Sequence, residues 1–533
     1  MKPCCEKKDS SVDTIGPLLI AALIRPHQKF WKEFFPLIFL LLLNAFFLNY
    51  NFLRGFIFYD MGVFLDASWR VTIGQKPHID FYFISGPLHL YMNAFFFKLF
   101  GFGKTALVSH LVVASTLAIL ATYWAARGKM PWTARFLVTT LTMVSFYWPV
   151  SHPWYNQSAQ LWGLLAAALW MRTIPFQNSR RAFWISALGG ALAMISFMTK
   201  TNIGFAFLFA FFVMLLFSPQ RNRAILGYFL GAILALGIIT ILFIPDFKLF
   251  FEQSFLEYGI GQRGRLLILL NPSYWAQNYY WPIVLFTVLG AFFCFKNNKE
   301  RVVLFAGFWL IAVISIFTSS LFNLKGEFPL IGIYAALGFI LLYDATPANS
   351  SWLKNLNHFS KAALTAVCFL LIFVCVQQSV VFGWWRNPEW YNYPLHAAPL
   401  RGLRSDQTHI RTLDGLVEFF EKVPKNETLL ILTDMQVLYP LTGMEPYRGV
   451  PIGFVVDLIP PPGKPLDALK KRLREDPPVW IVTHKRFTQA KELLEIVHYL
   501  GFTKQLETNY IFAKEIGTCV VLRRNDFKKE LLK

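Results

Sequence analysis

The sequence predicts a polytopic α-helical membrane protein that carries a soluble α/β domain at its C-terminus. Of the 533 residues, 55% are hydrophobic and 17% are aromatic, whereas only 15% are charged. The mean hydropathy of +0.44 lies above the range of soluble globular proteins. Apolar runs of near membrane length fill most of the chain, and shorter alternating runs follow them.

About eleven apolar runs are candidates for membrane-spanning helices, because a helix needs roughly 20 apolar residues to cross a bilayer core. The runs cover residues 34–51, 105–125, 134–150, 157–172, 182–198, 202–217, 225–244, 281–296, 301–320, 328–343 and 361–383. Several runs are short for a full crossing, so we expect this number to hold only within one or two.

The distribution of basic residues predicts the orientation of the chain. The formal net charge is +20, and the lysines and arginines cluster in every second connection between the apolar runs. The positive-inside rule then places residues 1–33 in the cytoplasm, ahead of a transmembrane domain at 34–383. It places the loops 52–104 and 245–280, and a periplasmic domain at 384–533, on the outer face. The charge therefore reflects topology, and no nucleic-acid partner is predicted.

Residues 384–533 have the pattern of a small α/β layer with a largely parallel sheet. Apolar residues at helical spacing precede strand-like runs twice, and a third helical stretch precedes two more strands. The predicted helices surround residues 410–420, 466–473 and 493–500, and the predicted strands are 428–433, 479–483, 510–513 and 519–522.

The first outer loop contains acidic residues close to the predicted membrane surface. Asp60 opens a segment in which Val63, Phe64, Ala67 and Val71 recur at helical spacing, which is typical of a helix lying along the interface. Farther along, Asp66 precedes Arg70 by four residues and predicts an ion pair on that helix. Pro87 suits the first turn of a second interfacial helix.

The stretch "YDMGVFLDASWRVTIGQKPHIDFYFISGPLHLYMNAFFFKLFG" (59–101) resembles the first outer loop of the GT-C glycosyltransferases, such as protein O-mannosyltransferases and lipid A aminoarabinose transferases. The similarity lies in the order of four elements. An Asp follows the first span, and after it come an Asp-Phe element, a Gly-Pro and a final Leu-Phe-Gly, as in the loop of that family. "FMTKTNIG" (197–204) looks like the family's lysine between two spans. "LYPLTGMEPYRG" (438–449) is similar to an element in the soluble tails of bacterial members.

The resemblance implies an inverting membrane glycosyltransferase. Its donor would be a sugar linked to a polyprenyl phosphate, and its acceptor a lipid, a glycan or a protein. It would be embedded among the lipids of a bacterial inner membrane, with the C-terminal domain in the periplasm. Two acids together are frequent at the position of Asp60 in the family, but here Met61 follows. "SHPWYNQSAQLW" (151–162) has no acid at all. The sequence therefore leaves open whether a divalent cation such as Mg²⁺ or Mn²⁺ takes part.

Transfer from a lipid phosphate requires a base for the acceptor and positive charge for the leaving phosphate. Asp60 is the candidate base, and the alternative is that it caps the interfacial helix. Lys200 is the main candidate for the phosphate because it lies in a short turn between two spans; the alternative is a snorkelling lysine. Arg263 and Arg265 are further phosphate candidates on the outer face. Candidates for lining the substrate cavity are Asp80, Trp69, Tyr82, His89, Tyr91, His152, Asn156 and Glu327.

A multi-spanning transporter or a flippase for lipid-linked saccharides is the alternative function. Coupled transporters usually carry ionisable groups near the middle of the bilayer. The predicted spans have no Asp, Glu, Lys or Arg in their middle, and the candidate charges gather at the outer interface. This distribution favours interfacial chemistry. A membrane anchor for a binding domain would leave about eleven spans unexplained.

Overall fold

The computed structural model describes residues 15–54, 56, 58–148, 152–173, 179–257, 331–344, 362, 365–377, 392–449, 464–485 and 501–525. Its first part is helical. The helices are α1 (Ile15–Phe52), α2 (Phe58–Thr72), α3 (Leu88–Phe100), α4 (Lys104–Ala126), α5 (Trp132–Phe146), α6 (Tyr155–Thr173), α7 (Ser179–Thr199), α8 (Thr201–Leu216), α9 (Arg221–Phe243), α10 (Phe247–Phe251), α11 (Ile331–Asp344) and α12 (Thr365–Gln377). A π-helical turn, Glu252–Glu257, follows α10.

Helices occupy the positions of the predicted apolar runs in the part of the chain that the structure describes. Four of the described segments are long and apolar enough to cross a membrane: Phe34–Phe52 of α1, and all of α4, α7 and α9. The helices α8 and α12 are shorter apolar helices. The predicted spans 281–296 and 301–320 lie outside the described residues, so the total of about eleven stays a prediction.

Small residues bring α7 and α9 into backbone contact. A Cβ atom added to Gly190 would lie 2.1 Å from the carbonyl oxygen of Tyr228, and one added to Gly231 would lie 1.8 Å from that of Ala187. Gly227 and Gly231 are four residues apart and so share one face of α9. This is the close packing that small residues allow between helices in a membrane.

The two helices predicted in the first outer loop are present as α2 and α3. The apolar face predicted for α2 is confirmed, because Val63, Ala67 and Val71 are buried in one cluster with Leu90 and Ala94 of α3. Helix α3 begins directly after Pro87. The loop is therefore a compact unit that packs its two helices against each other.

The C-terminal region contains a five-stranded sheet with helices, as predicted. The elements are β1 (Tyr393–Pro394), β2 (Arg404–Ser405), α13 (Gln407–Phe420), β3 (Thr428–Leu432), α14 (Leu438–Thr442), β4 (Glu445–Pro446), α15 (Lys464–Glu475), β5 (Trp480–His484), α16 (Thr503–Asn509), β6 (Tyr510–Ile516) and β7 (Cys519–Arg524). The five-stranded sheet has the order β4-β3-β5-β7-β6, and β1 pairs with β2 separately. The predicted helix near 493–500 lies outside the described residues.

The expectation of a largely parallel sheet is only partly correct. Strand β3 is parallel to β4 and to β5, whereas β7 is antiparallel to both β5 and β6. Only Gly517 and Thr518 join β6 to β7, and a two-residue connection can only make a hairpin. The sheet is therefore mixed, with an antiparallel edge.

Candidate active site

Asp60, the candidate base, lies in the first turn of α2. The helix begins at Phe58, so Asp60 is its third residue rather than the residue before it. A carboxylate in the first turn of a helix is stabilised by the unpaired N–H groups and the positive end of the helix dipole. The side chain of Asp60 lies outside the described part of the chain.

Lys200, the candidate for the phosphate, is buried between α7 and α8. Only 4% of the residue is exposed. Its Nζ donates a hydrogen bond to Oδ1 of Asn156 and lies 4.1 Å from the centre of the Tyr155 ring. An amide oxygen and an aromatic face are both uncharged, and these two contacts orient the side-chain nitrogen of Lys200.

Two glycines make this arrangement possible. A Cβ atom added to Gly204 would lie 1.9 Å from the backbone nitrogen of Phe197, so the turn at Lys200 requires a glycine there. A Cβ atom added to Gly86 would lie 2.1 Å from the carbonyl oxygen of Met198. The Gly-Pro of the first outer loop therefore packs directly on the end of α7, two residues before Lys200.

His89 belongs to a buried group of hydrogen-bonded side chains from α2, α3, α4 and α6. Asn93 donates to Nε2 of His89 (3.1 Å) and to Ser68 (3.2 Å), and its Oδ1 lies 2.6 Å from Nδ1 of His110. Because Nε2 of His89 accepts, Nδ1 carries the proton and donates to Oγ of Ser158 at 3.1 Å. Burial, followed by the nearby His110, holds the pKa of His89 well below its usual value. His89 is thus neutral and holds α3 against α6.

Two of the other aromatic candidates pack against aromatic rings in the described part of the chain. The ring of Tyr91 lies 4.7 Å from that of Phe243, and Trp69 contacts Phe102 edge-on at 6.1 Å. Tyr82 is buried as well. The ring contacts give Tyr91 and Trp69 a role in the packing of the loop.

Asp80 and His152 also take defined places. A carboxylate oxygen of Asp80 accepts from the backbone N–H of Lys76 (2.8 Å), and the other lies 3.7 Å from Arg448 of the C-terminal region. Asp80 is therefore a turn and interface residue. His152 is buried, with its ring edge-on to Trp154 at 4.8 Å.

Three predicted site residues, Arg263, Arg265 and Glu327, lie outside the described residues. Within the described ranges, no three His, Cys, Asp or Glu side chains are grouped so that they could hold a metal ion.

The predicted ion pair on α2 connects the loop to the C-terminal region. Nε of Arg70 is 2.9 Å from Oδ1 of Asp66, and both side chains are 2% exposed. Nη1 of Arg70 donates to the carbonyl oxygen of Tyr447 at 3.0 Å, and the guanidinium lies 5.1 Å from the centre of the Tyr439 ring. Tyr439 and Tyr447 both belong to the "LYPLTGMEPYRG" stretch, which therefore packs on α2.

The second outer loop also contacts the first. Gln253, in the π-helical turn, accepts from the backbone N–H of Phe83 (3.2 Å) and donates to the carbonyl oxygen of His78 (3.0 Å). Two segments predicted for the outer face, 245–257 and the C-terminal region, thus both contact the first outer loop. Sequence reasoning did not identify Tyr155, Ser158 or Gln253 as partners of the site, and it did not predict the contact of Arg70 with Tyr447.

Comparison with solved structures identifies the fold. No protein-family model and no curated protein matches the chain. The structure of ArnT from Cupriavidus metallidurans bound to undecaprenyl phosphate aligns with a TM-score of 0.52 at 11% identity, over 91% of this chain and 97% of that chain. The fold expected from the first outer loop, that of the GT-C glycosyltransferases, is thereby confirmed.

Two further structures are less similar. Arabinofuranosyltransferase AftD from Mycobacteria aligns with a TM-score of 0.49 at 11% identity, over 92% of this chain and 40% of that one. The oligosaccharyltransferase of Archaeoglobus fulgidus in its apo form aligns with a TM-score of 0.47 at 11% identity, over 94% and 76%.

Proposed function

We propose that the protein is a membrane glycosyltransferase that transfers a sugar from a polyprenyl-phosphate donor to a lipid, glycan or protein acceptor. The observation that supports this most is the ammonium of Lys200, which is buried and oriented beneath an outer loop that has Asp60 in its first helical turn. The proposed setting is the periplasmic face of a bacterial inner membrane, with residues 34–383 as the transmembrane domain and 384–533 as the periplasmic domain.

The proposed reaction is a single displacement at the anomeric carbon of the donor sugar. The acceptor hydroxyl oxygen forms a bond to that carbon while the bond from the carbon to the phosphate oxygen breaks. The proton of the hydroxyl passes to the carboxylate of Asp60, and the electron pair of the broken bond stays on the polyprenyl phosphate. One displacement inverts the anomeric centre.

Lys200 would stabilise the negative charge that develops on the leaving phosphate. An ammonium shielded from water interacts more strongly with a phosphate than an exposed one, because water screens it less. Asn156 and Tyr155 would hold the ammonium in place before the donor arrives. Undecaprenyl phosphate in the ArnT structure is a ligand of the class proposed for this chain. Arg263 and Arg265 are proposed to add positive charge for the same phosphate.

Binding of undecaprenyl phosphate to the purified full-length protein tests the assignment of Lys200. Lys200→Ala is expected to weaken this binding at least about tenfold, as loss of a charged partner of a buried ion does. Lys98→Ala is the control, because Lys98 is an exposed lysine at the end of α3. Equal affinity of Lys200→Ala and the wild type would remove Lys200 from the phosphate site.

A further inference from the structure

His409 of the C-terminal region is held between two carboxylates. Its Nδ1 lies 2.6 Å from Oδ2 of Asp406, the residue before α13, and its Nε2 lies 2.7 Å from Oδ2 of Asp434, which follows β3. We call these three residues the His409 clamp. All three side chains are partly exposed.

The His409 clamp contacts the first turn of α2. The imidazole ring of His409 stacks on Phe58 with ring centres 5.3 Å apart and an angle of 12° between the planes. On the next turn, a Cβ atom added to Gly62 would lie 3.7 Å from the carbonyl oxygen of Asp434. The clamp therefore contacts α2 on both sides of Asp60, two residues before it and two residues after it.

We propose that His409 is a positioning residue for Asp60: by stacking on Phe58 while Asp406 and Asp434 hold its ring, it fixes the helical turn that presents the base. This inference rests on the proposed function, because it assigns a reason for the place of Asp60. Other contacts anchor the same segment, since Ser405 Oγ donates to the carbonyl oxygen of Phe56 at 2.6 Å. The C-terminal region would thus be part of the catalytic apparatus.

The charge of His409 strengthens the contact. Burial lowers its pKa, but the carboxylates of Asp406 and Asp434 outweigh burial and raise the pKa to about 10. The imidazole is then a cation at neutral pH, and a cation over an aromatic face is stabilised by the ring quadrupole. Asp434 of the clamp also interacts with the Cys519 thiol, whose pKa burial raises to about 11.

Three variants of the full chain test the proposal in a strain that lacks the gene. His409→Leu removes the charge and the flat ring. His409→Arg keeps a planar cation that can stack and pair with carboxylates. His396→Leu is the matched control, because His396 also pairs with an aspartate, Asp414, at 2.9 Å, but its side chain is 79% exposed. The readouts are the amount of transferred sugar and the hydrogen exchange of the α2 amides.

We expect His409→Leu to lower the transferred sugar at least about tenfold, since a misplaced catalytic group costs that much or more. His409→Arg should restore part of it, and exchange should rise in 58–66 for His409→Leu alone. If His409→Leu does not accumulate, Asp434→Asn replaces it with the same expected results.

Two results separate this inference from the proposed function. Wild-type transfer by His409→Leu, in a strain where Asp60→Asn is inactive, overturns the role of His409 and leaves Asp60 as the base. If His409→Leu shows faster hydrogen exchange of the α2 amides but transfers as much sugar as the wild type, the role of His409 is overturned as well. Wild-type transfer by Asp60→Asn instead contradicts the proposed function, and the role of His409 falls with it.

Discussion

The guanidinium of Arg70 donates a hydrogen bond of 3.0 Å to the carbonyl oxygen of Tyr447, which lies 377 residues farther along the chain. On its other side, the same guanidinium is paired with Asp66 at 2.9 Å, and both side chains of the pair are 2% exposed. One buried ion pair therefore links the first outer loop to the C-terminal region.

Asp66→Asn should destabilise the protein by about 3 kcal/mol, because it leaves the buried Arg70 without its carboxylate. Thermal unfolding of the purified protein in detergent measures the effect. Glu418→Gln is the control, since Glu418 and Lys422 form an ion pair at the same spacing but are 76% and 75% exposed. That change should have little effect. Equal unfolding temperatures for the two variants would contradict the assigned role of the Arg70 pair.

Gly231→Ala should destabilise the contact between α7 and α9 by about 1–3 kcal/mol, because the new methyl group overlaps the Ala187 carbonyl oxygen and the helices must separate. Gly237→Ala on the same helix has nothing within 4 Å of the new atom. It should be neutral or stabilising by up to about 1 kcal/mol, since alanine favours helix. Thermal unfolding of both variants compares them directly, and a loss of stability in Gly237→Ala alone would contradict the packing.

Asn156→Asp should weaken binding of undecaprenyl phosphate about tenfold although the side chain keeps its shape. The new carboxylate would pair with Lys200 and compete with the phosphate for the ammonium. Asn156→Ala removes only the orienting oxygen and should weaken binding less. The affinities of the two variants are measured with the purified protein. Tighter binding by Asn156→Asp than by Asn156→Ala would show that Lys200 does not meet the phosphate.

The stability contributed by His409 should depend on pH. The pKa of His409 is raised from 6.5 to about 10, so its contribution is fully present below pH 6.5 and is lost as the pH rises through 10. The unfolding temperature of the wild type should therefore exceed that of His409→Gln most at pH 6 and least at pH 10. A difference that grows between pH 6 and pH 10 would contradict the charged state of His409.

Local patterns in the sequence predicted several residues of the candidate active site. The spacing of Asp66 and Arg70 predicted their pairing, and the short turn between two apolar runs identified Lys200. A contact such as that of Arg70 with Tyr447 is tertiary, and no local periodicity encodes it. The antiparallel edge of the sheet was encoded by the two residues between β6 and β7, and that signal was missed.

The partners of Lys200 and Asp60 could not be predicted in the same way. Asn156 meets Lys200 only because α6 and α8 begin side by side, which depends on how the helices pack. The pairing of His409 with Asp406 was weakly indicated by the sequence, since His409 follows Asp406 by three residues and so lies one helical turn beyond it. Asp434 lies two residues beyond the buried strand β3, and only the packing of α13 on the sheet brings it to His409.

The most direct test of the account is mass spectrometry of surface glycans and glycolipids from a strain lacking the gene and complemented at matched expression. The wild type should restore one missing sugar, and Asp60→Asn should not, because an amide cannot accept the acceptor's proton. Asp246→Asn is the control, since Asp246 caps α10 by accepting from Leu249 N–H and asparagine is an equally good cap. Full restoration by Asp60→Asn would contradict the central claim that Asp60 is the base.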